Sequence, residues 1–341
     1  MRPATVAAAL GAGALGLVGA AATSPTVRAE AHRLRGFLRP LDSDDGPLVL
    51  PPLPPGRVVP VEGRGELFVR DDGDDGDDGD DGRDRPAVLL LHGWAVTADV
   101  NWFTVYGELG ARRVVALDHR NHGRSLRSEA PFTLEDCADD AAALLDALGI
   151  DRVTAVGYSM GGPIALLLAR RHPDRVGGLV LAATAPEFSS EPRDQALWQG
   201  LNLVEGALRR GAGAGVMQRL LRETVDRQPE LRPHRSWLAG ELRRGDVPGI
   251  LDAGRALRRF DARPDLPTLA AAGPPAAVIV TTADRLVPPR KQRVLAEALG
   301  AAAYEVDGDH DAAIVDGAAF AAALRGALDE LEAAGGSARR R

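Results

Sequence analysis

The sequence predicts an α/β fold: a mostly parallel central sheet with helices on both faces and a helical cap inserted late in the chain. Three observations carry that expectation. From Ala87 onward, apolar runs of strand length alternate with amphipathic runs of helix length, the pattern of a sheet buried on both faces. The alternation stops after Pro186, gives way to helical periodicity around Trp198, Leu203, Leu220, Trp237 and Leu251, and resumes at Ala277. Length agrees, since 341 residues with 45% hydrophobic content suit one large domain with an insertion better than two independent domains.

The first element is an N-terminal apolar segment. No residue between Pro3 and Val27 is charged, and apart from Thr5 the stretch Ala4 to Ala22 is Ala, Gly, Leu and Val. Its length reads as a membrane anchor. A secretory signal peptide ending near Ala22 and an Ala/Gly-rich tail are the alternatives. Arg2 precedes the segment while Arg28, Arg33, Arg35 and Arg39 follow it, a bias that places the folded domain on the cytoplasmic side of a membrane. Residues 1–40 are thus expected to be an anchor or signal segment with a short basic flank. Residues 41–60, including Pro51-Pro52-Leu53-Pro54-Pro55, read as an extended proline-rich linker.

The folded domain is expected over residues 61–335. Glu66 to Arg70 and Ala87 to Leu91 read as strands, with an acidic Asp/Gly loop at 71–84 where a hairpin loop would fall. That loop lacks the twelve-residue arrangement and closing glutamate of a calcium loop, and its dense like charges favour solvation. Its nine Asp and one Arg carry −8 of the formal −7, which leaves the rest of the chain at +1. With no basic stripe and no aromatic-rich groove, nucleic acid is not an expected partner. The single cysteine, Cys137, excludes an internal disulfide and reads as a small buried hydrophobe in a helix.

Further strands are expected at Arg113–Leu117, Val153–Gly157, Gly178–Ala182, Ala277–Thr281 and Ala303–Val306. Helices are expected near Asn101–Leu109 and at Leu134–Leu148, Gly162–Arg171 and Gly317–Leu331, with the cap at about 187–266.

Strand Val153–Gly157 runs through Gly157-Tyr158-Ser159-Met160-Gly161-Gly162 directly into an apolar helix, which gives the Gly-x-Ser-x-Gly pentapeptide its strand-turn-helix context. Ser159 then sits in a strained conformation at the tip, and glycines 157 and 161 remove side chains that would collide there. Taken alone, the same pentapeptide could be a helix cap. A serine nucleophile needs a base. His310, in Asp307-Gly308-Asp309-His310-Asp311, follows one strand and precedes a helix, where a base can reach over the carboxyl edge of a sheet. Asp284, after strand Ala277–Thr281, fits as the group that orients the imidazole, with Asp309 the runner-up. The backbone N–H groups of Met160 and Trp94 are the natural donors for a developing oxyanion. The segment Asp118 to Ser125 reads as a structural turn that supports the nucleophile loop, because a metal site on His119 and His122 lacks further ligands at metal-site spacing.

On these motifs, His-Gly-Trp at 92–94, Asp-His-Arg-Asn-His-Gly-Arg-Ser at 118–125, Gly-Tyr-Ser-Met-Gly-Gly at 157–162, Asp284 before Pro288-Pro289, and Gly308-Asp309-His310, the chain resembles the α/β-hydrolase superfamily. The resemblance is to its cap-bearing serine esterase, lipase and C–C hydrolase branch, over roughly Glu66 to Leu331. One departure is Asn121, where relatives carry glycine. Asparagine tolerates positive φ, so the turn should survive. The resemblance implies a serine hydrolase with Ser159, His310 and Asp284 as triad, acting on a small or medium apolar carboxylic ester without metal or organic cofactor. C–C bond hydrolysis and perhydrolysis use the same triad, and a non-catalytic binding protein on this scaffold is the alternative of another class.

Overall fold

The computed structural model describes residues 47–73, 85–209 and 228–338. The expected membrane anchor at 4–22, most of the acidic loop and Leu220 lie outside the described residues. Among the described residues no helix is long and apolar enough to cross a membrane.

Eight strands form one sheet in the order β1-β2-β4-β3-β5-β6-β7-β8: β1 Gly56–Val61, β2 Gly65–Asp71, β3 Ala87–Leu91, β4 Arg113–Leu117, β5 Val153–Tyr158, β6 Val176–Ala182, β7 Ala276–Thr281 and β8 Ala302–Val306. From β4 to β8 neighbouring strands are parallel, while β1 and β2 add an antiparallel edge. The helices are α1 Ala98–Trp102, α2 Leu134–Ala147, α3 Gly161–Arg171, α4 Pro192–Leu208, α5 Arg235–Leu242, α6 Val247–Arg259, α7 Leu266–Ala272, α8 Pro289–Leu299, α9 Ala312–Val315 and α10 Gly317–Ala338. This is the α/β architecture the alternation predicts.

The inner strands are continuous apolar runs because both faces are covered. Val88 to Leu91, Val114 to Leu117 and Leu179 to Ala182 are all buried. One face packs Trp102, Tyr106, Phe320, Leu324 and Leu328 over Val88, Leu90, Val156 and Val180. Helix α2, which buries Cys137, starts where the Thr133 hydroxyl accepts the Asp136 N–H at 3.0 Å, an N-cap that fixes its first turn.

Two expectations are corrected. The linker was expected to run to residue 60, but Gly56–Val61 is strand β1, paired along its length with β2 and held from behind by Asp71 N–H donating to Pro55 O at 3.1 Å. Pro60 is tolerated there because β1 is an edge strand. The strands flanking the acidic loop are not hairpin partners either. β2 pairs with β1 and antiparallel to β4, and β3 lies beyond β4. A hairpin is suggested by closeness in sequence, whereas β3 gains more by entering the parallel stack, where Val88 to Leu91 are covered on both faces.

The described residues fall into two compact units. One comprises 189–209 and 228–243 with 47–49; the other holds the sheet and includes 244–338. In the first, Trp198, Trp237 and Leu238 are buried, Leu203 is exposed, and the His234 and Trp237 rings meet edge to face. In the second, the chain leaves β6 and returns toward β7 through paired stems: Glu187 and Asp261 form an antiparallel bridge, and Ala262 N–H donates to Pro186 O at 2.9 Å. Lys291 on α8 sits against Glu187 in a buried ion pair at 2.5 Å, its ammonium also donating to the Glu187 carbonyl at 3.4 Å.

Candidate active site

Ser159 stands between β5 and α3 with φ of 53°, a left-handed conformation that few non-glycine residues adopt. The turn is forced by its neighbours. Ser159 N–H donates to Ala182 O at 2.9 Å, and the Ser159 carbonyl accepts Gly162 N–H at 2.9 Å and the Thr184 hydroxyl at 2.8 Å. The flanking glycines are required by space. A Cβ at Gly157 would lie 2.5 Å from the Gly161 carbonyl carbon, and one at Gly161 would collide with the Leu91 carbonyl, 2.7 Å from its carbon.

The structure brings Ser159, His310 and Asp284 into one chain of hydrogen bonds. Ser159 Oγ donates to His310 Nε2 at 3.0 Å, and His310 Nδ1–H donates to Asp284 Oδ2 at 2.8 Å, a single consistent tautomer. Asp284 is buried but well satisfied. Its Oδ2 also accepts the Thr281 hydroxyl at 2.8 Å and Gln292 Nε2 at 3.1 Å, while Oδ1 accepts the N–H groups of Leu286 and Val287, each at 2.8 Å.

Asp309, the runner-up acid, faces elsewhere. Its Oδ1 accepts the backbone N–H groups of Arg285 and His310, both at 2.8 Å, and its Oδ2 accepts Arg285 Nε at 2.5 Å. Partial burial would raise its pKa, but these bonds and the guanidinium outweigh burial and hold the carboxyl below its usual range. Asp284→Asn is therefore expected to lower kcat/KM on an ester by roughly 10²- to 10⁴-fold, through a wrong imidazole tautomer, and Asp309→Asn by less than about tenfold. Steady-state kinetics on both variants check this, and a larger loss at 309 would reverse the assignment.

The loop after β3 approaches Ser159 closely: a Cβ at Gly93 would be 3.4 Å from Ser159 Cβ. Gly93 N–H is committed to Asn101 Oδ1 at 2.8 Å, which sets the loop's path toward Trp94. The Trp94 indole N–H donates to Ile250 O at 2.6 Å and its ring lies against Gly254, so the side chain docks on α6. Met160 is the N-cap residue of α3, where a backbone N–H has no acceptor within the helix.

Behind this loop, the rings of His92, His119 and His122 are buried together, with centroids 4.2 Å apart for 92 and 119 and 5.4 Å for 92 and 122. His92 Nδ1–H donates to Gly93 O at 2.7 Å, and its Nε2 accepts His119 N–H at 2.9 Å. The turn at 118–125 thus supports the loop after β3, through His92. Asn121 takes φ of 61°, as its residue type allows, and Arg120 forks onto Asp140 of α2 at 2.6 and 2.8 Å. Among the described residues no group of three or more His, Cys, Asp or Glu is arranged to hold a metal ion.

Burial pushes the His92 pKa down to about 4 and the His122 pKa down to about 3, so both rings are neutral at pH 7. On unfolding, each would titrate near its ordinary value of 6.5. Below that pH the unfolded chain binds protons the folded chain refuses, so stability is full above about 6.5 and falls toward 4. The loss expected from His92 alone is on the order of 3 kcal/mol at pH 4. Urea midpoints measured from pH 7.5 to 4.5 should fall steadily, and a flat profile would contradict neutral, buried rings.

Of the remaining histidines, His172 Nε2 pairs with Asp139 at 2.8 Å and His234 with Val49 O at 3.0 Å, and His32 lies outside the described residues. Sequence reasoning missed Asn101, Thr184, Thr281 and Gln292, which belong to no recognisable motif, and Tyr158, which fills a variable position of Gly-x-Ser-x-Gly.

Residues 86–316 match the family model of the alpha/beta hydrolase fold, and the chain belongs to that family. A pimeloyl-[acyl-carrier protein] methyl ester esterase of Chromobacterium violaceum is 35% identical over 222 residues, 63% of this chain and 82% of that protein. A 2-hydroxymuconate semialdehyde hydrolase of Pseudomonas sp. strain CF600 is 44% identical over 102 residues, 29% of this chain and 36% of that protein. Among solved structures, the enol-lactonase from Burkholderia xenovorans LB400 is similar with a TM-score of 0.66 at 26% identity, covering 80% of this chain and all of that one. These relatives are hydrolytic enzymes.

Proposed function

We propose that the protein is a serine hydrolase that cleaves a small or medium apolar carboxylic ester, with Ser159 as nucleophile, His310 as base and Asp284 as the acid that orients it. The observation that carries this reading is the unbroken run from Ser159 Oγ to His310 Nε2 at 3.0 Å and from His310 Nδ1 to Asp284 at 2.8 Å. His310 takes the hydroxyl proton as Ser159 Oγ attacks the ester carbonyl. The backbone N–H groups of Met160 and Trp94 hold the oxyanion, and the imidazolium returns its proton to the leaving alcohol. Water, deprotonated by the same histidine, then releases the acid and restores the serine.

Ester chemistry is favoured by the methyl ester esterase and the enol-lactonase among the relatives, since both names specify an ester bond. Cleavage of a C–C bond is the second reading, favoured by the 44% identity to the semialdehyde hydrolase. Turnover of p-nitrophenyl esters of graded length, alongside fluorophosphonate labelling, tests the proposal on wild type and Ser159→Ala. Absence of both labelling and ester turnover in the wild type would sink it in favour of a binding protein. Labelling without ester turnover would favour the C–C reading. Membrane attachment through residues 4–22, with the catalytic domain cytoplasmic, remains part of the proposal. Sedimentation of the full chain with membranes is its test, against a secreted product that begins after Ala22.

A further inference from the structure

Tyr158 is the residue immediately before the proposed nucleophile, and its hydroxyl donates to the backbone carbonyl of His310 at 2.7 Å. We propose that the Tyr158 hydroxyl is a positioning group for His310, tying the loop that carries the base to the strand that carries the serine. The inference rests on the Ser159–His310–Asp284 reading.

The histidine loop is otherwise held from α9 and from the turn after β7: the Asp309 and Asp311 carbonyls accept the N–H groups of Ala312 at 3.0 Å and Ile314 at 2.8 Å, and the Thr282 hydroxyl donates to Asp307 Oδ1 at 2.9 Å. β8 ends at Val306 and α9 begins at Ala312, so residues 307–311 make no ladder bonds and belong to no helix. Its anchors on the acid side are Ala283 N–H donating to Gly308 O at 2.9 Å, and Asp309 between Arg285 and His310 N–H. Both tie the loop to the turn after β7, which holds Asp284. Tyr158 supplies the tie to β5, of which it is the last residue, directly before Ser159. With it, the imidazole is referenced to both of its partners by its own backbone.

The hydroxyl has no packing task. The Tyr158 ring meets Trp102 and Phe320 edge to face with centroids 5.9 and 5.5 Å apart, and a phenylalanine would make the same contacts. Tyr158 is buried, a place where a phenolic O–H is retained when it has a partner to bond. Burial, reinforced by the charge of Asp284, pushes the phenol pKa up, which keeps the group protonated and able to donate at neutral pH.

The test is Tyr158→Phe, assayed on p-nitrophenyl butyrate and by the rate of fluorophosphonate labelling, at a temperature where circular dichroism shows every variant folded. The expected result is a fall of about 10- to 100-fold in kcat and in labelling rate with KM little changed, because only the base is displaced. A downfield proton signal from His310 Nδ1–H should broaden or shift in the same variant. Phe320→Leu is the comparison: it loosens the packing of the same ring and keeps the hydroxyl, so it should lower the melting temperature while leaving kcat within about twofold. Wild-type kcat and labelling rate in Tyr158→Phe, or an equal kcat loss in Phe320→Leu, would overturn the proposal. A wild type that is not labelled at Ser159 would overturn the underlying triad reading instead, and this inference with it.

Discussion

Ser159→Ala is expected to lose ester turnover by on the order of 10³-fold or more and to lose fluorophosphonate labelling completely. The size of the effect follows from what the substitution removes and what it leaves. Among the described residues the Ser159 Oγ is the hydroxyl bonded to His310 Nε2, at 3.0 Å, so on the proposed mechanism no other described nucleophile inherits the base. The amides of Met160 and Trp94, the proposed oxyanion donors, remain, and on that proposal attack of water sets the residual rate. Folding should be nearly unaffected. Alanine meets the same positive φ as serine, and the bonds from Ala182, Gly162 and Thr184 reach only the backbone of residue 159. Retention of a tenth or more of wild-type turnover, by protein of unchanged melting temperature, would falsify the assignment of Ser159.

Gly161→Ala should be the most damaging of the glycine substitutions near the site. Its new methyl would collide with the Leu91 carbonyl and lie 3.1 Å from the His92 carbonyl oxygen, so backbone must move at the end of β3 or the start of α3. Neither has slack, because Leu91 is paired with Leu117 on one side and Gly157 on the other. A cost of about 3 kcal/mol or more is expected, as for other overpacked cores, together with loss of activity, since Gly93 and Trp94 follow directly from the displaced strand. Gly200→Ala on α4 provides the control. A Cβ there meets nothing within 4 Å, and helix propensity should make the change neutral or stabilising by about 0.5–1 kcal/mol. Thermal melts of the two variants decide the matter. A Gly161→Ala protein as stable as wild type would show that the turn has room it is not expected to have.

The contrast between these two glycines also marks what could be read from the sequence. Gly161 lies in a motif whose flanks identify a sharp turn, so its steric need could be anticipated without coordinates. The same was true of the inner strands, because a segment such as Val-Leu-Leu-Leu at 88–91 has no polar face to expose. β1 was hidden for the opposite reason. It is an edge strand, half exposed at Val58, beside a proline-rich run, and only its pairing with β2 makes it a strand. Strand order was hidden as well, because β2 reaches β4 across the chain's path and sequence proximity points to β3.

In the site, Ser159, Asp284 and His310 were legible as residue types in a particular order, each near the end of an apolar run. The groups that hold them were not. Tyr158 meets His310 across 152 residues, and Gln292 meets Asp284 from the buried side of the first turn of α8. Such bonds depend on side-chain direction in three dimensions, and neither tyrosine nor glutamine carries a pattern that announces it. Leu203 shows the limit of counting apolar residues: it stands five positions after Trp198, about 140° away round the helix, and Trp198 is buried while Leu203 is exposed.

Lys291 is the only lysine in the sequence, and it lies buried against Glu187 where the chain leaves the sheet. Every other basic side chain apart from the histidines is arginine. A reagent that acylates amines therefore finds no exposed lysine on the native domain, and lysine-based immobilisation or crosslinking would leave that surface untouched. The same reagent becomes a clock for unfolding: the Lys291 ε-amine is buried against Glu187 while the stems are paired, so acylation at that lysine, mapped apart from the chain's α-amine, counts the molecules that have opened.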